Sequence, residues 1–414
     1  MQWASTDSSA SPPQSDTDLS WTALQKIVNA DGPPIFLEAA LRQLYSLRWK
    51  WEQYERQQAT RTEAQFHEAA PVSEHQETFK LLFWLAVMFD TISAAMLQRP
   101  VVVSDEDSSI APADPWKPTK SATSSITAVD LDGWGPSSWP QSRRKDHSLD
   151  IWGSLFLEKK PPQQEISGSS SFPTAEEAAT ILCDAAPVKV LLFRKVGHIQ
   201  KLISRRAGCE VLEAAVEQAV RLCRFWDTTY GRFISQCVAN HHELSSRIQS
   251  WYVVLAGHWH LGGILLADVI EEMDAVGMSQ PSQRLNRQVS GFIQKLRRNN
   301  ATAISELCRC SLGGDNISSS RTREFSYPVN QVALLSEPWT VVLIQSFSRA
   351  GYVFASQLSS LEERRTYTQS IWDDEYSLNK RRCECCIQGL LSLGNKSDMA
   401  YLAARYLIGC LQTI

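Results

Sequence analysis

The densest run of metal-capable side chains in the chain is Cys383-Glu384-Cys385-Cys386, with Cys308 and Cys310 as a second, looser pair. Thiolates bind zinc when four of them, or thiolates with imidazoles, converge on a tetrahedron, and structural sites do this from loops with two to four residues between paired ligands. Adjacent residues on a helix point about 100° apart, so Cys385 and Cys386 splay, as do Cys308 and Cys310. No metal is expected, and the cysteines read as small core hydrophobes. His258 and His260 fall on nearly opposite sides of a helix, and His241-His242 sits at a helix boundary, so packing or solvent accounts for all four. Two acidic clusters, Asp105-Glu106-Asp107 and Asp373-Asp374-Glu375, could in principle hold magnesium. A shared ion needs carboxylates one helical turn apart on one face, whereas these are consecutive. The sequence has no Gly-x-Ser-x-Gly elbow, phosphate-binding loop or Gly-x-Gly-x-x-Gly turn, so no catalytic residue and no cofactor is assigned.

A basic stripe is the remaining candidate surface. On a helix over 284–298, Arg284, Arg287, Lys295 and Arg298 fall within about 80° of one another, while Leu285, Val289, Phe292, Ile293 and Leu296 take another side. Such a face could meet phosphates or an acidic partner, although four charges without a groove-entering motif are ordinary for a solvated surface. The chain as a whole carries a net charge of −4, which excludes the broad basic field of a nucleic-acid-binding domain. Ten cysteines without framework spacing fit a reducing compartment. Asn300-Ala-Thr302, Asn316-Ile-Ser318 and Asn395-Lys-Ser397 match the glycosylation sequon by chance.

These side chains need elements to hold them, and every clear pattern is helical. Residues 1–18 have neither a positive n-region nor an apolar h-region and read as a disordered tail. The rest, 19–414, reads as one all-α domain of 43% apolar sequence composition, with ample material for a core. Two helical stretches are expected within 19–58, and another runs from Glu74 through the unbroken apolar run Leu81–Phe89 to a stop at Arg99-Pro100. A strand or extended loop follows at 101–103. Residues 104–171, rich in Ser, Pro and Asp, read as an insert with a short helix near 149–156. Leu212, Ala215, Val216, Ala219, Cys223 and Trp226 recur at helical spacing, which makes Cys223 a core residue. Further helices are expected at about 243–276, 283–310, 338–360, 370–393 and 397–412. The uncharged run Trp251–Ala267 is short for a bilayer span and reads as a buried core helix.

One set of residues goes beyond pattern. Trp84-x5-Asp90-x2-Ser93, a short gap, then Arg99-Pro100 and an acidic turn is similar to the signature of the fungal-specific transcription factor domain, the helical middle homology region of zinc binuclear cluster regulators. Ser336-Glu337-Pro338-Trp339-Thr340 followed by VVLIQSF is similar to a helix start in the C-terminal part of such domains, so the resemblance extends over about 21–414. It implies a nuclear, non-enzymatic regulator of RNA polymerase II transcription. Its partners would be the transcription machinery or another regulator, with a small-molecule effector as a further candidate and no membrane. The departure is that the Cys-x2-Cys-x6-Cys half of a binuclear zinc cluster does not occur, so DNA would be reached only indirectly or through an N-terminal cluster missing from this chain. Arg143-Arg144-Lys145 is a weak import signal. Asp90 and Ser93 are expected to pack and hydrogen-bond inside the scaffold. Nine residues at 100° put Asp90 and Arg99 on opposite faces, so they are not expected to pair. The alternatives are a helical protein-interaction scaffold unrelated to transcription and a terpene-cyclase-like enzyme built on the acidic clusters.

Overall fold

A computed structural model describes residues 20–29, 39–44, 46–47, 49–50, 53, 74–102, 173–275, 283–312, 336–363, 369–394 and 397–414. Among the described residues there is helix and no strand. The elements are α1 (Trp21–Val28), α2 (Glu74–Leu97), α3 (Ala175–Ser204), α4 (Cys209–Trp226), α5 (Arg232–Ala239), α6 (Ser246–Ala275), α7 (Gln283–Ser311), α8 (Ser336–Glu363), α9 (Gln369–Gly394) and α10 (Asp398–Thr413). All five C-terminal helices start and end within three residues of their expected bounds, because Gly, Pro and Ser clusters punctuate the sequence between them.

The packing order follows the chain. α2 lies on α3, α3 on α6, α6 on α7 and α8, and α8 on α9 and α10, while α1 returns across the whole chain to sit on α8 and α10. α6 is the centre. It is the one described helix long and apolar enough to cross a membrane, but 83% of its apolar window is buried inside the protein. Gly263 explains how tightly it is packed: a Cβ there would lie 2.5 Å from the Asn300 side chain of α7, so only glycine admits that approach. Asn300 is itself buried and donates to Leu296 O at 2.8 Å, which leaves no free amide at that sequon.

α3 has no counterpart among the expected helices. Its start was nonetheless written in the sequence: Thr174 accepts from Glu177 N at 3.3 Å, and Glu177 accepts from Thr174 N at 2.8 Å, a reciprocal capping box. Pro187 inside it disguises the helix, since proline normally interrupts one. Here the ring is buried and the helix continues past it, with the Tyr230 hydroxyl donating to the neighbouring Asp184 carbonyl at 3.4 Å. Tyr230 belongs to a π-helical turn, Asp227–Gly231, between α4 and α5. Cys223 on α4 is half-buried against the core, and its thiol is pushed up to about 12 by that burial.

The tail 1–18, the insert 104–171, Asp105-Glu106-Asp107 and Arg143-Arg144-Lys145 lie outside the described residues. Of the extended segment at 101–103, residues 101 and 102 are described, and they form no strand.

Candidate functional site

The signature residues meet at the end of α2. Asp90 is 1% exposed. After Leu97 the chain turns through Gln98 in the left-handed region, φ 52°, and Arg99 N donates to Ala94 O at 3.0 Å, the long-range bond of a Schellman cap. This reversal corrects the expectation that Asp90 and Arg99 stay apart. The helical count of nine residues fails because the helix stops before the ninth, and the cap folds Arg99 back. Its Nη2 then lies 2.9 Å from Asp90 Oδ1. Asp90 Oδ2 accepts from Val102 N at 2.7 Å, and Arg99 Nη1 donates to Pro100 O at 3.0 Å. One carboxylate thus fixes the turn, the proline and the segment beyond it. Val102 packs against the small cluster of Leu41, Ala86 and Val87. Ser93 is half-buried. The Trp84 side chain lies outside the described set.

The second polar constellation is larger, and the sequence reading missed it. Asp268 on α6 holds two guanidiniums: Oδ1 accepts from Arg297 Nε at 3.0 Å and Nη2 at 2.8 Å on α7, and Oδ2 accepts from Arg349 Nη1 at 2.6 Å on α8. Arg297 Nη2 also reaches Glu271 at 2.7 Å. Burial works against the Arg297 cation, and Asp268 and Glu271 more than offset it, so its pKa is raised. For Arg349 burial wins: Asp268 opposes it, Arg297 adds to it, and the pKa is lowered. A guanidinium stays charged through either change.

Arg349 also stacks on Trp21 of α1, 4.2 Å from the ring centroid. Trp21 tilts against Tyr352, centroids 5.4 Å apart. Both ends of α1 are tied down. The Tyr406 hydroxyl of α10 donates to Ser20 O and accepts from Ser20 N, each at 2.9 Å, while Gln345 Nε2 donates to Val28 O at 2.8 Å and Asn29 Oδ1 at 2.7 Å. The node joins four helices, and Asp268 has both oxygens engaged, an arrangement suited to cohesion rather than proton transfer.

The basic stripe is only partly as expected. Arg298 pairs with Glu375 of α9 at 2.7 Å, so this charge and that carboxylate are committed to each other within the fold. Lys295 is exposed. Arg284 and Arg287 lie on α7, with side chains outside the described set. Phe292, expected on the apolar side, is 39% exposed, whereas Ile293 is buried.

The histidines divide as packing groups. His258 is fully buried on α6; burial and the nearby Lys189 ammonium push its pKa well down, and its Nδ1 lies 2.6 Å from Val254 O. His260 Nδ1 lies 2.9 Å from Asn300 Oδ1. His241 is buried, the packing alternative of the two expected for it, with Nδ1 2.5 Å from the Tyr252 hydroxyl. Among the described residues no group of three or more His, Cys, Asp or Glu is arranged to hold a metal ion.

No family model, no curated protein and no solved structure matches the chain.

Proposed function

We propose that this chain is a helical regulatory domain similar to that of the fungal zinc-cluster regulators, acting in the nucleus on RNA polymerase II transcription through other proteins. One observation carries the reading. Asp90, Arg99 and Pro100 stand in the order and spacing of that signature, and the polar members work as one unit, with Asp90 closing on Arg99 and Val102 together. A motif whose parts depend on each other in this way is a structural lock for the end of a core helix, which a regulatory domain needs and which carries no catalytic group. The scaffold's polar nodes hold helices to each other, in keeping with a protein that works by changing partners or helix packing and not by turnover.

The test is to fuse the chain to a heterologous DNA-binding domain and read a reporter in a fungal cell, with microscopy of the untethered chain beside it. Nuclear accumulation with a reporter change in either direction supports the proposal. Exclusion from the nucleus together with a silent reporter overturns it in favour of a scaffold unrelated to transcription. Release of diphosphate from prenyl substrates by purified protein would overturn both.

A further inference from the structure

α7 and α9 pack on each other, and two cysteines face each other across their crossing. Cys308 of α7 is fully buried, and its thiol donates to the Cys385 backbone carbonyl of α9 at 3.1 Å. The Cys385 thiol reaches back across the same crossing to Ser305 O at 3.6 Å, one turn before Cys308. Burial first, and then the Cys385 thiol beside it, hold the Cys308 pKa well above the usual thiol value. Gly389 shows why they come so close. It lies one turn after Cys385 on the same face of α9, and a Cβ there would meet the Cys308 sulfur at 2.4 Å. The Cys308 sulfur therefore sits in a notch bounded by Cys385 on one side and a bare backbone on the other.

The other cysteines nearby are directed elsewhere. Cys310 lies 3.4 Å from the Tyr252 hydroxyl, and Cys383 donates to Gly351 O of α8 at 3.4 Å. Cys386 is fully buried, whereas Cys385 is partly open to solvent. Access to solvent is what lets a thiol meet a soluble oxidant.

We propose that Cys385 and Cys308 form a peroxide-responsive thiol pair that closes to a disulfide and staples α7 to α9. The Cys385 thiolate attacks one oxygen of hydrogen peroxide, breaking the O–O bond; the product is the Cys385 sulfenic acid, and the departing hydroxide takes up a proton and leaves as water. The Cys308 sulfur then attacks the sulfenic sulfur, the S–O bond breaks, and a second water leaves with the Cys308 proton. Two thiols and one peroxide give one disulfide and two waters. A dithiol reductant reverses it.

Full-length protein is treated with hydrogen peroxide, unfolded, and its free thiols counted, followed by non-reducing peptide mapping. The expected result is a fall from ten thiols to eight, a single cross-linked peptide pair containing Cys308 and Cys385, and a higher unfolding midpoint that dithiothreitol returns to its starting value. Cys308→Ser should instead leave a sulfenic acid at Cys385 that dimedone captures. Since Cys308 is buried and that variant could fold poorly, Cys385→Ser serves as the second arm and should abolish the cross-link while keeping the untreated melting temperature. A cross-link between other cysteines, no loss of thiols, or overoxidation of Cys385 without a cross-link overturns the proposal.

Discussion

Replacing Lys189 by methionine should stabilise the protein at neutral pH. The Lys189 side chain is 3% exposed on α3, and burial pulls its pKa from 10.5 down to about 8. The fall from 10.5 to about 8 corresponds to about 3 kcal/mol of preference for the neutral amine. The sign follows from proton counts. Between about 8 and 10.5 the unfolded chain binds more protons at this residue than the folded one, so stability rises with pH across that window; below it the full penalty of the buried ammonium applies. Methionine keeps the aliphatic stem and removes the charge. The gain for Lys189→Met is therefore expected to approach about 3 kcal/mol at pH 7 as an upper bound and to shrink towards zero by pH 10.5. Urea unfolding of both proteins under reducing conditions at pH 7 and pH 9.5 measures it. Comparing the two proteins at each pH matters because buried thiols such as Cys237 and Cys383, raised to about 12, make both proteins less stable as pH climbs above 9. A variant that is less stable at pH 7, by an amount that does not change with pH, would show that hydrogen bonds compensate the ammonium and would refute the reasoning.

Asp90→Ala and Arg99→Ala should each lower the melting temperature and the yield of folded protein, since each strands a buried partner at about 1–3 kcal/mol, more where a charge is left. Full thermal stability combined with loss of reporter response would mark the residue as a functional contact instead. Arg349→Met should release α1 while the remaining helices hold; the readout is faster proteolysis near Val28 and altered Trp21 fluorescence, and unchanged cleavage would show that Gln345 and Tyr406 suffice. Gly263→Val should unfold the protein or lower its midpoint sharply, because the new carbon falls 2.5 Å from Asn300. Pairing it with Asn300→Ala should recover part of the loss, and no recovery would mean that the α6–α7 contact is limited by backbone and not by that side chain.

How far the sequence speaks depends on whether a residue's partner is local. Helices α6 to α10 are legible because their punctuation and apolar spacing lie within the helix itself. The α2 stop was legible too, but not its consequence: the Arg99–Asp90 pair depends on a left-handed Gln98, a residue type with no strong preference for that conformation. Asp268, Arg297 and Arg349 come from three helices, and no spacing rule connects them. A signal was nonetheless available. Arg349 is a single charge inside VVLIQSFSRAGYVFA, and Asp268 is the first charge after an uncharged run, so each required a partner from another helix. The face Cys308 shares with Cys385 was hidden for the same reason, since helical splay rules out pairs within one helix and says nothing about pairs between helices.

The docking of α1 sets a schedule for the chain as it is made. Ser20 bonds to Tyr406, 386 residues away, and Trp21 waits for Arg349. At roughly 5 to 20 residues per second, the first helix emerges about 20 to 80 seconds before its seat on α10 exists. Through that interval Leu24 and Val28, both buried in the finished protein, face whatever is nearby. A chain released before α10 is made carries an apolar α1 with nothing to receive it, which is what chaperones and proteases recognise.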